Sequence, residues 1–151
     1  MQYLKPMNPR EYLIKLEANK IPHGDRTLYE HLCNTEDILR IARLPEEVQK
    51  AGLYHSIYGT SAFEHQTTSD RESIKKVIGE YAEYLVWIFC NANRPFCWFC
   101  ANTIPFRNSN SVNVSNEELF HLRMIEAANL IDQQSGADFV TAFTIEGMKN
   151  D

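Results

Sequence analysis

Tyr81-Ala82-Glu83-Tyr84-Leu85-Val86-Trp87-Ile88-Phe89-Cys90 is the most apolar run in the chain, and reading it as helix or strand sets the fold class. The run is too short to cross a bilayer, which takes roughly 18 apolar residues or more. It suits a central core helix ending before Asn93, Arg94 and Pro95, or a buried strand, and periodicity alone does not separate the two. The rest of the chain favours the helix, because helix starts recur along it and strand signals do not.

Asn8, Pro9 and Glu11 supply an N-cap, a proline at the first helical position and a reciprocal glutamate, opening a helix to about Asn19. After a turn at Pro22, His23 and Gly24, Thr27 with Glu30 forms a second capping box. Leu28, Leu32, Leu39 and Ala42 then mark one face to about Arg43. Pro45, Glu46 and Glu47 start a third helix whose acidic first turn matches the helix dipole, and which is expected to run to about Gly59 with Val48, Ala51, Gly52 and His55 on one face. Thr60 to Thr68 reads as a loop. Ser69 with Glu72 caps a helix with Ile74, Val77 and Ile78 inward, stopped or kinked by Gly79. Asn91 to Val114, with Pro95, Pro105 and Asn-Ser repeats, reads as a long functional or mobile loop. Ser115 with Glu118 caps the last long helix, through Leu119, Leu122, Ile125, Ala128 and Asn129 to about Gln134, with Gly136 ending it and a short helix possible in the tail. The expected fold is therefore all-α, one domain over residues 1–151 with five or six helices and essentially no sheet.

A hydrophobic share of 44% over 151 residues is ordinary for one domain with a buried core. The net charge of -5, with 15 scattered Lys and Arg, excludes nucleic acid as the default partner. Met1-Gln2-Tyr3-Leu4-Lys5-Pro6 lacks the apolar run of a signal peptide. No membrane partner and a cytoplasmic location are expected, where Cys33, Cys90, Cys97 and Cys100 would stay as thiols.

Two segments carry a resemblance: His23-Gly24-Asp25-Arg26-Thr27-Leu28-Tyr29-Glu30-His31-Leu32 and Ala51-Gly52-Leu53-Tyr54-His55-Ser56-Ile57-Tyr58-Gly59-Thr60. With Ile78-Gly79-Glu80-Tyr81-Ala82-Glu83 they resemble a family of small bacterial HD-like helical proteins of unknown function, marked by an AGLxHSxYGT motif, over about residues 20–94. That family is distantly similar to HD-superfamily metal-dependent phosphohydrolases, above all the alarmone-hydrolase branch. The resemblance implies that His31 and His55 match metal histidines. Ser56 stands where the superfamily has aspartate, Gly59 and Thr60 where it has an acidic pair, and Asn93 where its final aspartate would fall. A hard cation such as Mg or Mn would lose most of its anionic oxygen ligands there.

Neutral imidazoles suit zinc or iron, so the metal candidates are His31, His55 and His23, with His65, Glu30 or Glu64 as further donors. The catalytic candidates are His55, Ser56, Tyr58 and Thr60, the last two placed to orient a small-molecule ligand. The functional expectation is a divergent HD-like protein, a transition-metal-dependent hydrolase or oxygenase of a small molecule. The alternative is a non-catalytic small-molecule binder or assembly protein, in which the histidines are buried and satisfied by hydrogen bonds; homo-oligomers fit either. Cys97-Trp98-Phe99-Cys100 has the gap of a zinc or redox pair but lacks a second pair. The aromatic residues around it suit a core, a lid or a dimer surface, and Arg94 and Arg107 suit an anionic ligand or ordinary solvated or paired charges.

Overall fold

The computed structural model describes residues 7–99 and 101–134. Gly136, the expected short tail helix and Cys100 lie outside the described residues. Six α-helices are described: α1 (Pro9–Lys15), α2 (Leu28–Ile41), α3 (Glu46–Leu53), α4 (Arg71–Ile78), α5 (Glu80–Asn91) and α6 (Asn116–Asp132). The decisive run is helical: α5 buries Ala82, Leu85, Val86, Ile88, Phe89 and Cys90 at the centre of the molecule.

Local chemistry sets the helix starts. The Asn8 side chain accepts the Arg10 and Glu11 N–H groups, Thr27 Oγ1 accepts Glu30 N–H, and Ser115 Oγ accepts Glu118 N–H. At α4 the cap falls one residue later than the sequence suggested, on Asp70, whose carboxylate takes Ser73 N–H. α3 is shorter than expected: it ends at Leu53, and tight i to i+3 turns carry the chain on to Gly59. His55 therefore sits in a turn rather than within the helix.

An all-α class is incorrect. Two small antiparallel sheets of two strands each make the fold mixed α/β, though mostly helical. β1 (Pro22–His23) pairs with β2 (Arg26–Thr27), and β3 (Thr103–Pro105) pairs with β4 (Ser111–Asn113). The first hairpin needs a two-residue turn, and Gly24 at φ +64° provides it. The second folds the long segment after α5 back on itself, tied down by an isolated bridge between Ala92 and Phe106. Strands of two or three residues hold too few positions for alternation to register in a sequence.

α2 packs on α3 and α6, and α5 packs on α3, α4 and α6. A short 3-10 turn, Phe96–Phe99, inserts Trp98 into the core, where its ring stacks on Phe89 with centroids 5.7 Å apart. Phe96 and Phe99 remain exposed, so the aromatic segment is divided between core and surface. No described helix is long and apolar enough to cross a membrane.

Candidate functional site

The site forms where α2, the turn after α3 and α6 meet. Thr27 caps α2 and Leu28 and Leu32 anchor it in the core, which turns His31 inward to 1% exposure. α3 approaches α2 closely because Gly52 has no side chain: a Cβ there would lie 2.2 Å from Leu39 Cδ1. The turn that follows folds His55 back so that its Nδ1–H donates to Gly52 O at 2.7 Å, and the Cys90 thiol bonds His55 O at 3.1 Å.

The two Nε2 atoms then lie 3.3 Å apart. A third group joins them from α6. Asn129 Oδ1 lies 2.8 Å from His31 Nε2 and 3.1 Å from His55 Nε2. The amide orientation is fixed, since Asn129 Nδ2 donates to Glu126 Oε2 at 2.9 Å. Fully buried Glu126 takes Arg94 on both oxygens, at 2.7 and 2.6 Å, and Trp98 Nε1–H at 3.2 Å. Behind His31, Nδ1 meets Asp132 Oδ2 at 2.5 Å, and Arg26 grips both Asp132 oxygens at 3.0 and 2.7 Å.

Counting hydrogens defines the chemistry. Both Nδ1 atoms face obligate acceptors and carry a ring hydrogen, so a ring that holds only one hydrogen presents Nε2 as a lone pair. Asn129 Oδ1 brings more lone pairs and no hydrogen. Burial first, and the neighbouring His31 second, hold the His55 pKa well below its ordinary value, so His55 does not supply a proton. Burial alone would raise the Asp132 pKa, but the hydrogen bonds from Arg26 and His31 outweigh it and hold the group ionised. With a single hydrogen on each ring, Nε2 of His31, Nε2 of His55 and Oδ1 of Asn129 present three acceptors toward one point.

The other predicted residues are placed as follows. His23, carried by β1, stacks on the face of His31 with centroids 4.3 Å apart, and burial first, then His31 and Arg26, lower its pKa. Ser56 Oγ is buried with no hydrogen-bond partner among the described residues. Tyr58 OH donates to Glu83 at 2.8 Å, and Thr60 Oγ1 accepts Phe63 N–H at 2.9 Å, closing the loop after α3. Glu30, Glu64, His65 and Asn93 are exposed. The residues absent from the sequence reading are Asn129 as a site group, Asp132, Glu126 and Arg26. Their signal is the polar series Glu126, Asn129, Asp132 at i, i+3 and i+6, on the same side of α6 as buried Leu122 and Ile125.

A family model, Domain of unknown function (DUF6817), matches residues 12–94. The chain belongs to this family. Neither a curated protein nor a solved structure matches it. The DUF6817 match covers both histidines, while Asn129 and Asp132 lie beyond it.

Proposed function

We propose that this DUF6817 protein binds a transition metal ion, zinc or iron, on His31 Nε2 and His55 Nε2 with Asn129 Oδ1 beside them, and uses it to hydrolyse a bond in a small molecule. The observation that carries the reading is the convergence of His31 Nε2, His55 Nε2 and Asn129 Oδ1 within 2.8–3.3 Å of one another. Two donors each about 2.0–2.1 Å from a tetrahedral zinc lie about 3.3 Å apart, which matches the separation of the two imidazole nitrogens. Among the described residues no three His, Cys, Asp or Glu side chains gather as a metal cage, so a third protein donor would have to be the Asn129 amide oxygen. This donor set disfavours Mg and Mn, which want carboxylates.

The surrounding groups have the character of a metal site's outer layer. Asp132 on His31 Nδ1 and Gly52 O on His55 Nδ1 fix both tautomers with Nε2 free, and an ionised partner raises the basicity of the ring it touches. Glu126, itself held by Arg94, aims the Asn129 oxygen. Orphaned Ser56 Oγ, next in the chain to His55, suits a buried water. A bound zinc or iron acidifies water toward neutrality and polarises the bond to be cleaved. Hydrolysis fits better than iron oxygen chemistry, whose open sites use two histidines and a carboxylate, whereas the third donor here is an amide.

On this reading His31 and His55 would serve as the metal histidines that the resemblance implies, while exposed Asn93, its candidate for the last aspartate, lies outside the cluster and Asn129 lies within it. The test is metal content of the untagged protein, measured for wild type and His55→Ala. Near-stoichiometric zinc or iron that is lost in His55→Ala is expected. Metal-free wild type that takes up neither ion on titration would instead establish a proton-filled polar clamp joining α2, α3 and α6.

A further inference from the structure

A separate cavity lies beside α5, bordering the histidine cluster through Tyr58 and Cys90. Besides Tyr58 and Cys90, this open cavity of about 160 Å³ is lined by Gln66 and Ser69 from the loop before α4, Arg71 at its start, Trp87 and Asn91 of α5, and Arg107 of the β3–β4 connection. No Asp or Glu lines it.

The two arginines are held differently, and both keep donors to spare. Arg71 uses Nε and one Nη2 hydrogen on buried Glu83, at 2.7 and 2.8 Å, and its guanidinium lies over the Trp87 ring at 4.7 Å. Tyr58 OH donates to the same carboxylate, so Glu83 is anchored from two sides and fixes the Arg71 plane. A guanidinium has five N–H groups; Glu83 takes two of them and Tyr58 is a further partner, which leaves the rest for the cavity. Arg107 is tethered by Nη2 to Cys90 O at 2.6 Å and has no carboxylate partner among the described residues. Asn91 Nδ2 is used on Trp87 O at 2.8 Å, which turns its oxygen away from that bond. Glu83 compensates Arg71, so the cavity keeps the uncompensated charge of Arg107 together with the neutral donors Ser69 and Gln66.

We infer that this cavity binds the phosphoryl group of a small molecule. Rigid guanidinium forks match oxyanions with several acceptor oxygens, and here two of them, with hydroxyl and amide donors between, face one small space. The volume is below the range of drug-sized ligand pockets, so it holds one anionic group and little else. The source is either free phosphate or a phosphomonoester whose organic part stays outside. Sequence reasoning had marked Arg94 and Arg107 together as possible anion ligands. Arg94 is spent on Glu126, and Arg107 remains.

The test is calorimetric titration at constant ionic strength with inorganic phosphate, methyl phosphate and acetate, on wild type and on Arg107→Gln. Arg107 is exposed, so its substitution leaves the fold intact, which an unchanged thermal midpoint verifies. Saturable phosphate binding that weakens about tenfold or more in Arg107→Gln is expected, since a charge-assisted contact is lost. Methyl phosphate binding as tightly as phosphate identifies a monoester ligand; much weaker binding identifies free phosphate. Phosphate heats no larger than those of acetate, or affinity unchanged in Arg107→Gln, would overturn the assignment.

Discussion

Glu126 lies at the base of the site, fully buried between Arg94, Trp98 and Asn129, and its loss bears on stability and site geometry together. Glu126→Gln leaves the buried Arg94 guanidinium without its counter-charge, a change expected to cost about 3–5 kcal/mol. Adding Arg94→Met removes that stranded charge, so the double variant should lose clearly less than the sum of the two single losses in a denaturant-unfolding cycle. Strict additivity would mean that the two side chains do not act as a pair. His55 makes a separate pH signature. Its pKa is lowered well below 6.5 in the folded protein and returns to about 6.5 on unfolding, so the unfolded chain binds the extra proton below that value. Stability is then fully present above about pH 6.5 and falls as pH drops below it, by up to about 1.4 kcal/mol per pH unit for that proton. His23 and His121, also lowered chiefly by burial, add to the same slope, while Asp132 begins to contribute only near the ordinary carboxylate range. Urea unfolding of chelator-treated protein between pH 7 and pH 5 should show a steeper loss for wild type than for His55→Gln. Equal slopes would show that His55 is not held neutral.

At the level of elements, the site depends on how closely α3 approaches α2. Gly52→Ala brings a methyl to 2.2 Å from Leu39 Cδ1, and buried Leu39 has little room to yield. An overpacking cost of about 1–3 kcal/mol is expected, with the loss partly recovered in Gly52→Ala/Leu39→Ala, because the smaller partner vacates the space. A neutral Gly52→Ala would mean that the helices separate freely, and the imidazole spacing would then not be fixed by packing. The elements differ in how legible they were. Caps at Asn8, Thr27 and Ser115 made their helices readable, since each is a local hydrogen bond between a side chain and an N–H two or three residues away. The end of α3 was not readable: Tyr54 to Tyr58 keeps a helical hydrophobic pattern, yet the chain turns there to make the His55–Gly52 bond. The two hairpins escaped for the same local reason, because two or three paired residues leave no period to detect.

Across the whole molecule, one polar thread runs from Arg26 through Asp132, His31, His55 and Asn129 to Glu126 and Arg94, and it joins β2, α2, the turn after α3 and α6. Its centre was visible in the sequence, as the two histidines 24 positions apart in recognisable motifs. Glu126, Asn129 and Asp132 come from α6, the last two 98 and 101 positions from His31, where contact depends on tertiary packing and no local spacing encodes it. The thread places His31 Nε2, His55 Nε2 and Asn129 Oδ1 around one point, and the central claim is that a metal ion belongs there. Nitrogen-15 NMR of histidine-labelled protein, recorded with and without one equivalent of zinc, reads those atoms directly. The expected result is that the Nε2 resonances of His31 and His55 shift together on zinc addition while both Nδ1 atoms keep their hydrogens. Nε2 resonances that ignore zinc, with a hydrogen on His31 Nε2 at neutral pH, would contradict the claim and leave a hydrogen-bonded clamp in its place.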